Sequence, residues 1–164
     1  MTADELRAMI AEARRPGALF PDVDDVIGCV DVSTAEGLAP PPAIVRAMAI
    51  LPTFRGQYRR NGLDGFVWNY RAEIPSLIDA FEAIGARATA GLMAEILATI
   101  VEQHEGGADP VRAFLDVRAA RGAPAFGPWL EVDPIDEVHE AILAFLERHA
   151  EAIVAGRWER AATD

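Results

Sequence analysis

The chain has 164 residues, of which 51% are hydrophobic and 25% are charged, and its formal net charge is −11. This length predicts one domain over residues 1–164 with a core of its own. The negative charge disfavours nucleic acid and anionic membranes as ligands and favours a basic protein. Because Cys29 is the only cysteine and no apolar run is long enough to span a bilayer, we expect a cytoplasmic protein.

Helix signals begin at the N-terminus. Thr2 followed by Glu5 predicts a capping box, in which each side chain satisfies a free amide of the first turn, and this helix should run to about Arg15. Residues 16–40 are rich in proline, glycine and aspartate, so we expect them to be mostly loop. Within them, the run VIGCVDV at 26–32 fits either a short helix or an extended segment.

Prolines and glycines divide the middle of the chain into further helices. The run Pro40-Pro41-Pro42 is typical of a first helical turn, and we expect Pro52 to end or kink the helix that it opens. Another helical segment should cover Phe54 to Arg60. Pro75 predicts the start of the next helix, and Gly85 predicts its end in the left-handed conformation.

The clearest apolar repeat of the chain follows, in a helix that should end at Gly106-Gly107. Its apolar positions are Leu92, Met93, Ile96, Leu97, Ile100 and Val101. Asp109-Pro110 and Asp133-Pro134 each predict a helix start, because a capping carboxylate precedes a proline in the first turn. The first of these helices should run to about Arg121 and the second to about Val154. Together these signals predict an all-α protein of about seven helices.

The stretch NGLDGFVWNY, residues 61–70, separates two predicted helices. Asn61-Gly62 tolerates a left-handed backbone, which suits an elbow between those helices. In this interpretation, the rings of Phe66, Trp68 and Tyr70 dock into the core and the amide of Asn69 holds the turn. The alternative is a loop that contacts a ligand, with Asn61, Asp64, Asn69 and Arg71 as its polar groups.

The same stretch resembles a known family. Asn61-Gly62, Gly65-Phe66, Trp68 and Asn69 resemble the Asn-Gly-Gly-Phe signature of a bacterial family of domains of unknown function that includes a DNA-mimic protein. The resemblance continues through Ile84-Gly85-Ala86 and covers about residues 38–105. It implies an all-α domain and a homodimer. It also implies that surface carboxylates imitate DNA phosphates and occupy a DNA-binding protein.

The surplus of negative charge falls in two segments. Residues 16–45 have a net charge of −5 and residues 131–164 a net charge of −6, whereas the rest of the chain is neutral. In the second segment, five carboxylates recur at helical spacing and form what we call the acidic stripe: Asp133, Glu137, Glu140, Glu147 and Glu151. Further carboxylates lie nearby in sequence or in the first segment: Asp136, Asp22, Asp24, Asp25 and Asp31.

These carboxylates have two interpretations. If the fold brings both segments to one side, they form a surface for a basic partner. Otherwise, the acidic stripe is the solvated face of an amphipathic helix, with its first acids stabilised by the helix dipole. Arg148 lies beside the stripe and could weaken its field.

The sequence predicts no catalytic residue, no metal site and no cofactor. A calcium-binding loop counted from Asp22 would need glycine and glutamate where Ile27 and Ser33 stand. His139 and His149 are ten residues apart rather than four, and Cys29 has no recognisable signature around it.

We therefore expect a non-enzymatic acidic binding protein, whose partner is a basic protein such as a DNA-binding transcription regulator. The first alternative is an immunity or accessory protein for a toxin or an enzyme, since such a partner also requires an acidic surface. The second alternative is a small-molecule binder or an enzyme that uses the elbow at residues 61–71, which would require a concave pocket there.

Overall fold

The computed structural model describes residues 1–17, 21–30, 42–107, 109, 112, 116, 119 and 133–155. These residues form seven helices and contain no strand, which confirms the predicted all-α class. In chain order the helices are α1 (Ala3–Ala13), α2 (Val23–Cys29), α3 (Pro42–Asn69), α4 (Ile74–Ile84), α5 (Arg87–Glu105), α6 (Pro134–Arg148) and α7 (Ala150–Val154). Asp31 and most of the helix predicted after Asp109-Pro110 lie outside the described residues.

Capping boxes start the first two helices. The Glu5 N–H donates to the Thr2 hydroxyl at 3.2 Å, and the Thr2 N–H donates to the Glu5 carboxylate at 2.7 Å, as the sequence predicts. The same reciprocal pair joins Asp22 and Asp25, at 3.1 and 2.9 Å, and starts α2. The expectation of mostly loop over residues 16–40 is therefore wrong for residues 23–29, where this second box stabilises a helix.

The long helix α3 leaves helical φ/ψ values at a glycine and not at its internal proline. It begins at Pro42, the last residue of the predicted proline start, and it continues through Pro52, where an end or a kink was predicted. Pro52 is exposed, so water can satisfy the carbonyl that loses its N–H donor. The helical backbone is interrupted at Gly62 instead, where φ is 73° and ψ is 177°. This value of φ is one that glycine adopts far more readily than other residues.

Both predicted glycine ends of the next two helices are confirmed. Gly85 ends α4 with φ at 101°, and its N–H donates to the carbonyl of Phe81 at 3.1 Å. The Ala86 N–H donates to the same carbonyl at 2.8 Å, so the turn into α5 leaves this carbonyl doubly satisfied. Gly107 follows the end of α5 with φ at 75°.

The last described helix was predicted as one element and is two. Asp133 caps α6, because its carboxylate accepts the Ile135 N–H at 2.8 Å. At His149 the backbone leaves helical geometry, with φ at −107° and ψ at 17°, and α7 follows directly. The chain therefore changes direction slightly where a single straight helix was expected.

Helix α6 is the central element of the described fold, because it contacts every other described helix. Its apolar side chains are buried in the core: Ile135, Val138, Ile142, Leu143, Phe145 and Leu146. Around α6, helix α3 packs on α4, α4 packs on α5, and α1 packs on α2 and α7. The opposite side of α6, which carries acidic residues, is therefore held in a fixed position by the core.

Candidate partner-binding surface

Two carboxylates of the acidic stripe share one arginine of α1. The Arg14 guanidinium donates from Nε and Nη2 to both oxygens of Glu140, at 3.0 and 2.7 Å. Its remaining nitrogen, Nη1, donates to Glu147 at 2.5 Å. The hydrogen bonds to Glu140 raise the pKa of Arg14 most, and the hydrogen bond to Glu147 raises it next. The planar fork of arginine suits this two-pronged contact, and the three groups together carry a charge of −1.

A second arginine of α1 has the same arrangement. Arg7 forms an ion pair with Glu151 of α7, and it contacts Asp4 of its own helix at 3.4 Å. The hydrogen bond from Arg7 lowers the pKa of Glu151, and the same bond raises the pKa of Arg7. Because α1 meets Glu151 through Arg7 and Glu140 through Arg14, α1 runs antiparallel to the α6–α7 segment.

Glu137 has a structural role in this fold. Its carboxylate accepts the N–H groups of Ala88 and Thr89, at 3.0 and 2.7 Å, and the Thr89 hydroxyl at 2.5 Å. These donors belong to the first turn of α5, whose N–H groups have no partner within the helix. Glu137 therefore caps α5 from outside and is not available to a partner.

The acidic residues of α2 share a third arginine. Arg55 of α3 forms an ion pair with Asp24 and lies 3.7 Å from Asp22. Asp25 accepts the Asp22 N–H in the capping box described above. As in the two α1 clusters, two carboxylates are ordered by one guanidinium, and a charge of −1 remains.

His139 of α6 lies near carboxylates of both α2 and α6. Burial lowers the pKa of His139, and the charge of Arg55 lowers it further. Three carboxylates act on the same imidazole in the opposite direction: Asp24, Asp136 and Asp22. Charges from α2 and α6 can act on one ring only if they are close to each other. The sequence alone did not show whether Asp22 and Asp24 lie close to Asp136.

We call the surface formed by α1, α2, α6 and α7 the acidic face. Its described residues, 1–17, 21–30 and 133–155, hold twelve acidic residues and four arginines. Arg55 from α3 adds a fifth arginine, so twelve negative charges and five positive charges leave −7. The ion pairs therefore reduce the charge of this face without cancelling it.

The stretch at residues 61–70 was predicted as an elbow between two helices, but it is helical through Asn69 and leaves helical geometry only at Gly62. Besides the positive φ of Gly62, a Cβ on Gly65 would lie 2.5 Å from the Cβ of Asn61, so the turn after the bend has no room for a side chain there. Phe66 is fully buried, with its ring 4.9 Å from the Phe54 ring in an edge-on arrangement. The predicted docking of this ring is confirmed.

The other aromatic residues of the elbow are half-buried. Tyr70 stacks on Phe66 with ring centroids 4.9 Å apart, and the Arg71 guanidinium lies 4.9 Å from the centroid of the Trp68 ring. Asn69 is exposed, whereas the sequence interpretation used its amide to hold the turn. Two surface pockets of about 510 Å³ each flank α4, and neither is lined by residues 61–71.

Two further findings concern the described part of the chain. No three histidine, cysteine, aspartate or glutamate side chains in it are grouped closely enough to hold a metal ion. None of its helices has both the length and the apolarity that crossing a membrane requires.

These helices, with a surplus of carboxylates on one face, define a small all-α acidic protein. A family model described as DMP19-like protein matches residues 40–155. That range exceeds half of the chain, so the chain belongs to the DMP19-like protein family, which is a family of DNA-mimic proteins. The resemblance seen over residues 38–105 is thus confirmed, and the match extends through α6 and α7. No curated protein and no solved structure gives a significant match.

The sequence reading missed the three shared arginines. Arg7 and Arg14 are seven residues apart, which places them on one face of α1 beside the buried Leu6 and Ile10. That spacing was a usable signal, because it predicts two cations on one side of α1. Arg55 offered no such signal, since its partners lie 31 and 33 residues away in sequence.

Proposed function

We propose that this protein is a non-enzymatic DNA mimic, which binds a basic DNA-binding protein through its acidic face and so keeps that protein from DNA. Membership of the DMP19-like protein family is the observation that carries the proposal. The residual charge of the acidic face supports it, because a surface that replaces DNA must attract the cationic groups that contact phosphates. The homodimer that the resemblance implies stays a prediction.

The arginine clusters are compatible with this function. In each cluster one guanidinium holds two carboxylates, so the carboxylates are ordered while a net negative charge remains. Ordering them in advance lowers the entropy that a partner loses on binding. The Arg55 cluster, which does not involve α1, is therefore a better imitation of a fixed phosphate backbone than the same carboxylates on mobile side chains.

The test separates the acidic face from net charge by comparing two variants. The face variant is D136N/E140Q/E147Q/E151Q, which removes four charges from α6 and α7. The control variant is D79N/E82Q/E102Q/E105Q, which removes four exposed charges from α4 and α5. Glu137 stays unchanged in both, because removing the cap of α5 would confuse a loss of binding with a loss of folding.

Each protein is immobilised and exposed to a cell extract at low salt. We expect the wild type and the control variant to retain a basic DNA-binding protein that excess duplex DNA releases, and the face variant to lose it. Equal losses from the two variants would show attraction by net charge alone and would refute the proposal. Capture of a toxin or an enzyme that DNA does not release would instead assign the immunity or accessory role.

A further inference from the structure

Within the acidic face, helix α1 covers carboxylates of α6 and α7. Arg14 covers Glu140 and Glu147, Arg7 covers Glu151, and these contacts are made across the surface between α1 and the α6–α7 segment. Residues 1–39 precede the range that the family model matches, so α1 does not belong to the matched part of the chain. The carboxylates of α6 and α7 do belong to it.

The contact shows which ligand this surface recognises. Two arginines seven residues apart lie roughly 10 Å apart along a helix. Arg14 bridges Glu140 and Glu147, and Arg7 reaches Glu151. Beside the arginines on α1, Leu6 and Ile10 are fully buried against the core. The surface thus accepts an amphipathic helix whose arginines lie along one edge of an apolar strip.

We propose that the surface beneath α1 is the partner-binding surface, and that it takes a helix of the partner with two arginines seven residues apart beside apolar residues. Helix α1 is then an internal competitor that must leave before the partner binds. This inference rests on the proposed function, since it names the part of the acidic face that the basic partner uses.

Competition of this kind has a simple consequence. An external helix binds only those molecules in which α1 has left the surface. Its apparent dissociation constant is therefore the intrinsic one divided by the fraction of such molecules. Weakening α1 must therefore strengthen the binding of an external helix. A surface that α1 merely stabilises would show the opposite, because a loosened α1 would leave the binding site less well ordered.

The variant R7Q/R14Q weakens α1 at both arginine clusters. The matched control is R15Q/R148Q, which has the same net charge. Within the described residues, Arg15 pairs with Glu12 of α1, and its side chain is 67% exposed against 29% for Arg14. Arg148 is exposed at the end of α6. Any effect of net charge alone is therefore equal in the two variants.

The probe is a fluorescent peptide with the sequence of residues 1–17. It contains three acidic residues and three arginines, so general charge attraction cannot explain its binding. By fluorescence anisotropy, we expect R7Q/R14Q to bind this peptide at least about tenfold more tightly than the wild type does. The control R15Q/R148Q should bind it as weakly as the wild type.

Two further measurements keep the test decisive if R7Q/R14Q is poorly folded. Leu6→Ala loosens α1 without any change in charge, and we expect it to bind the peptide more tightly as well. In the wild type, a large excess of the peptide should increase deuterium uptake in residues 3–13 while uptake in α5 stays constant. Unchanged uptake in α1, or equal peptide binding by R7Q/R14Q and R15Q/R148Q, would overturn the proposal.

The outcomes also separate this inference from the proposed function. Peptide binding by R7Q/R14Q without capture of any DNA-released protein would support the surface and refute the mimic function. Capture of such a protein with no gain from weakening α1 would support the function and refute the role of α1.

Discussion

At the residue scale, Glu137 shows why a regular row of carboxylates is not by itself a binding surface. It has the spacing of the acidic stripe, but its oxygens accept three donors from the first turn of α5. One of those donors, Thr89, is fully buried, so the loss of its acceptor cannot be repaired by water.

We predict that Glu137→Ala lowers the free energy of unfolding by about 1–3 kcal/mol, because it leaves buried donors of α5 unsatisfied. Urea denaturation followed by circular dichroism measures this change. The control is Glu102→Ala on the exposed side of α5, which should change the free energy of unfolding by less than about 0.5 kcal/mol. Similar values for the two variants would mean that the cap contributes little.

Gly65 is constrained by space and not by backbone conformation. A Cβ there would lie 2.5 Å from the Cβ of Asn61, whereas a Cβ on the helical Gly56 would meet nothing within 4 Å. We predict that Gly65→Ala destabilises the protein by about 1–3 kcal/mol through overpacking. Gly56→Ala should stabilise it by about 0.5–1 kcal/mol, because alanine loses less backbone entropy in a helix.

Thermal and urea denaturation of both alanine variants would check the sign of each effect. Asn61→Gly, added to Gly65→Ala, removes the Cβ that causes the contact and should recover much of the loss. Without that recovery, the bend of α3 would have to be limited by something other than the Asn61–Gly65 contact.

At the element scale, capping residues and glycines predicted where helices begin and end, but the proline within α3 did not predict where that helix is interrupted. The capping box at Thr2, the left-handed Gly85 and the capping Asp133 were all readable, because each acts on its own neighbours in sequence. Pro52 was predicted to end or kink α3, but its effect depends on whether its face meets solvent. That is decided by packing against other helices, which the local sequence does not contain.

The contact between α2 and α6 predicts a pH dependence through His139. Because burial and the charge of Arg55 lower its pKa, the folded protein resists a proton that the unfolded chain accepts near pH 6.5. Stability should therefore fall as pH decreases below roughly 6.5, and this loss should stop below the lowered pKa. His149, whose pKa burial and then Arg148 lower, acts in the same direction.

Urea midpoints between about pH 7.5 and about pH 5 test this prediction, with His139→Gln as the variant. The variant should show a shallower loss of stability over that range, and His149→Gln added to it should remove most of the remainder. The lowered pKa of Glu151 places its own contribution at lower pH, where the carboxylate becomes protonated. An unchanged slope in His139→Gln would exclude this imidazole as the source.

At the scale of the whole molecule, the distribution of charge was partly predictable. The two acidic segments were visible in the sequence, and His139 has Asp22 and Asp24 of the first and Asp136 of the second near it. The sharing of arginines was not predictable, because Arg14 meets Glu140 across 126 residues and Arg55 meets Asp24 across 31. Such contacts depend on the packing of α1 and α3 against α2 and α6, which no local pattern encodes.

That distribution sets the response of stability to salt. Five arginines face twelve carboxylates on the acidic face, so repulsion among the unmatched carboxylates opposes the attraction within each cluster. Exposed ion pairs contribute only about 0–1 kcal/mol each to the free energy of unfolding. Repulsion between carboxylates extends over distances up to the Debye length. We therefore predict that the urea midpoint rises between about 0.01 M and about 0.1 M sodium chloride, as that length falls from roughly 30 Å to roughly 10 Å.

The variant D79N/E82Q/E102Q/E105Q tests the cause of this response. It has four fewer negative charges and leaves every described arginine cluster intact, so its midpoint should rise less with salt than that of the wild type. R15Q/R148Q makes the net charge more negative by two, so its urea midpoint should rise more with salt than that of the wild type. A midpoint that falls with salt would show that attraction within the clusters of Arg7, Arg14 and Arg55 outweighs the repulsion. In that case the ion pairs would stabilise the acidic face, and a partner would have to compete with these arginines for the carboxylates.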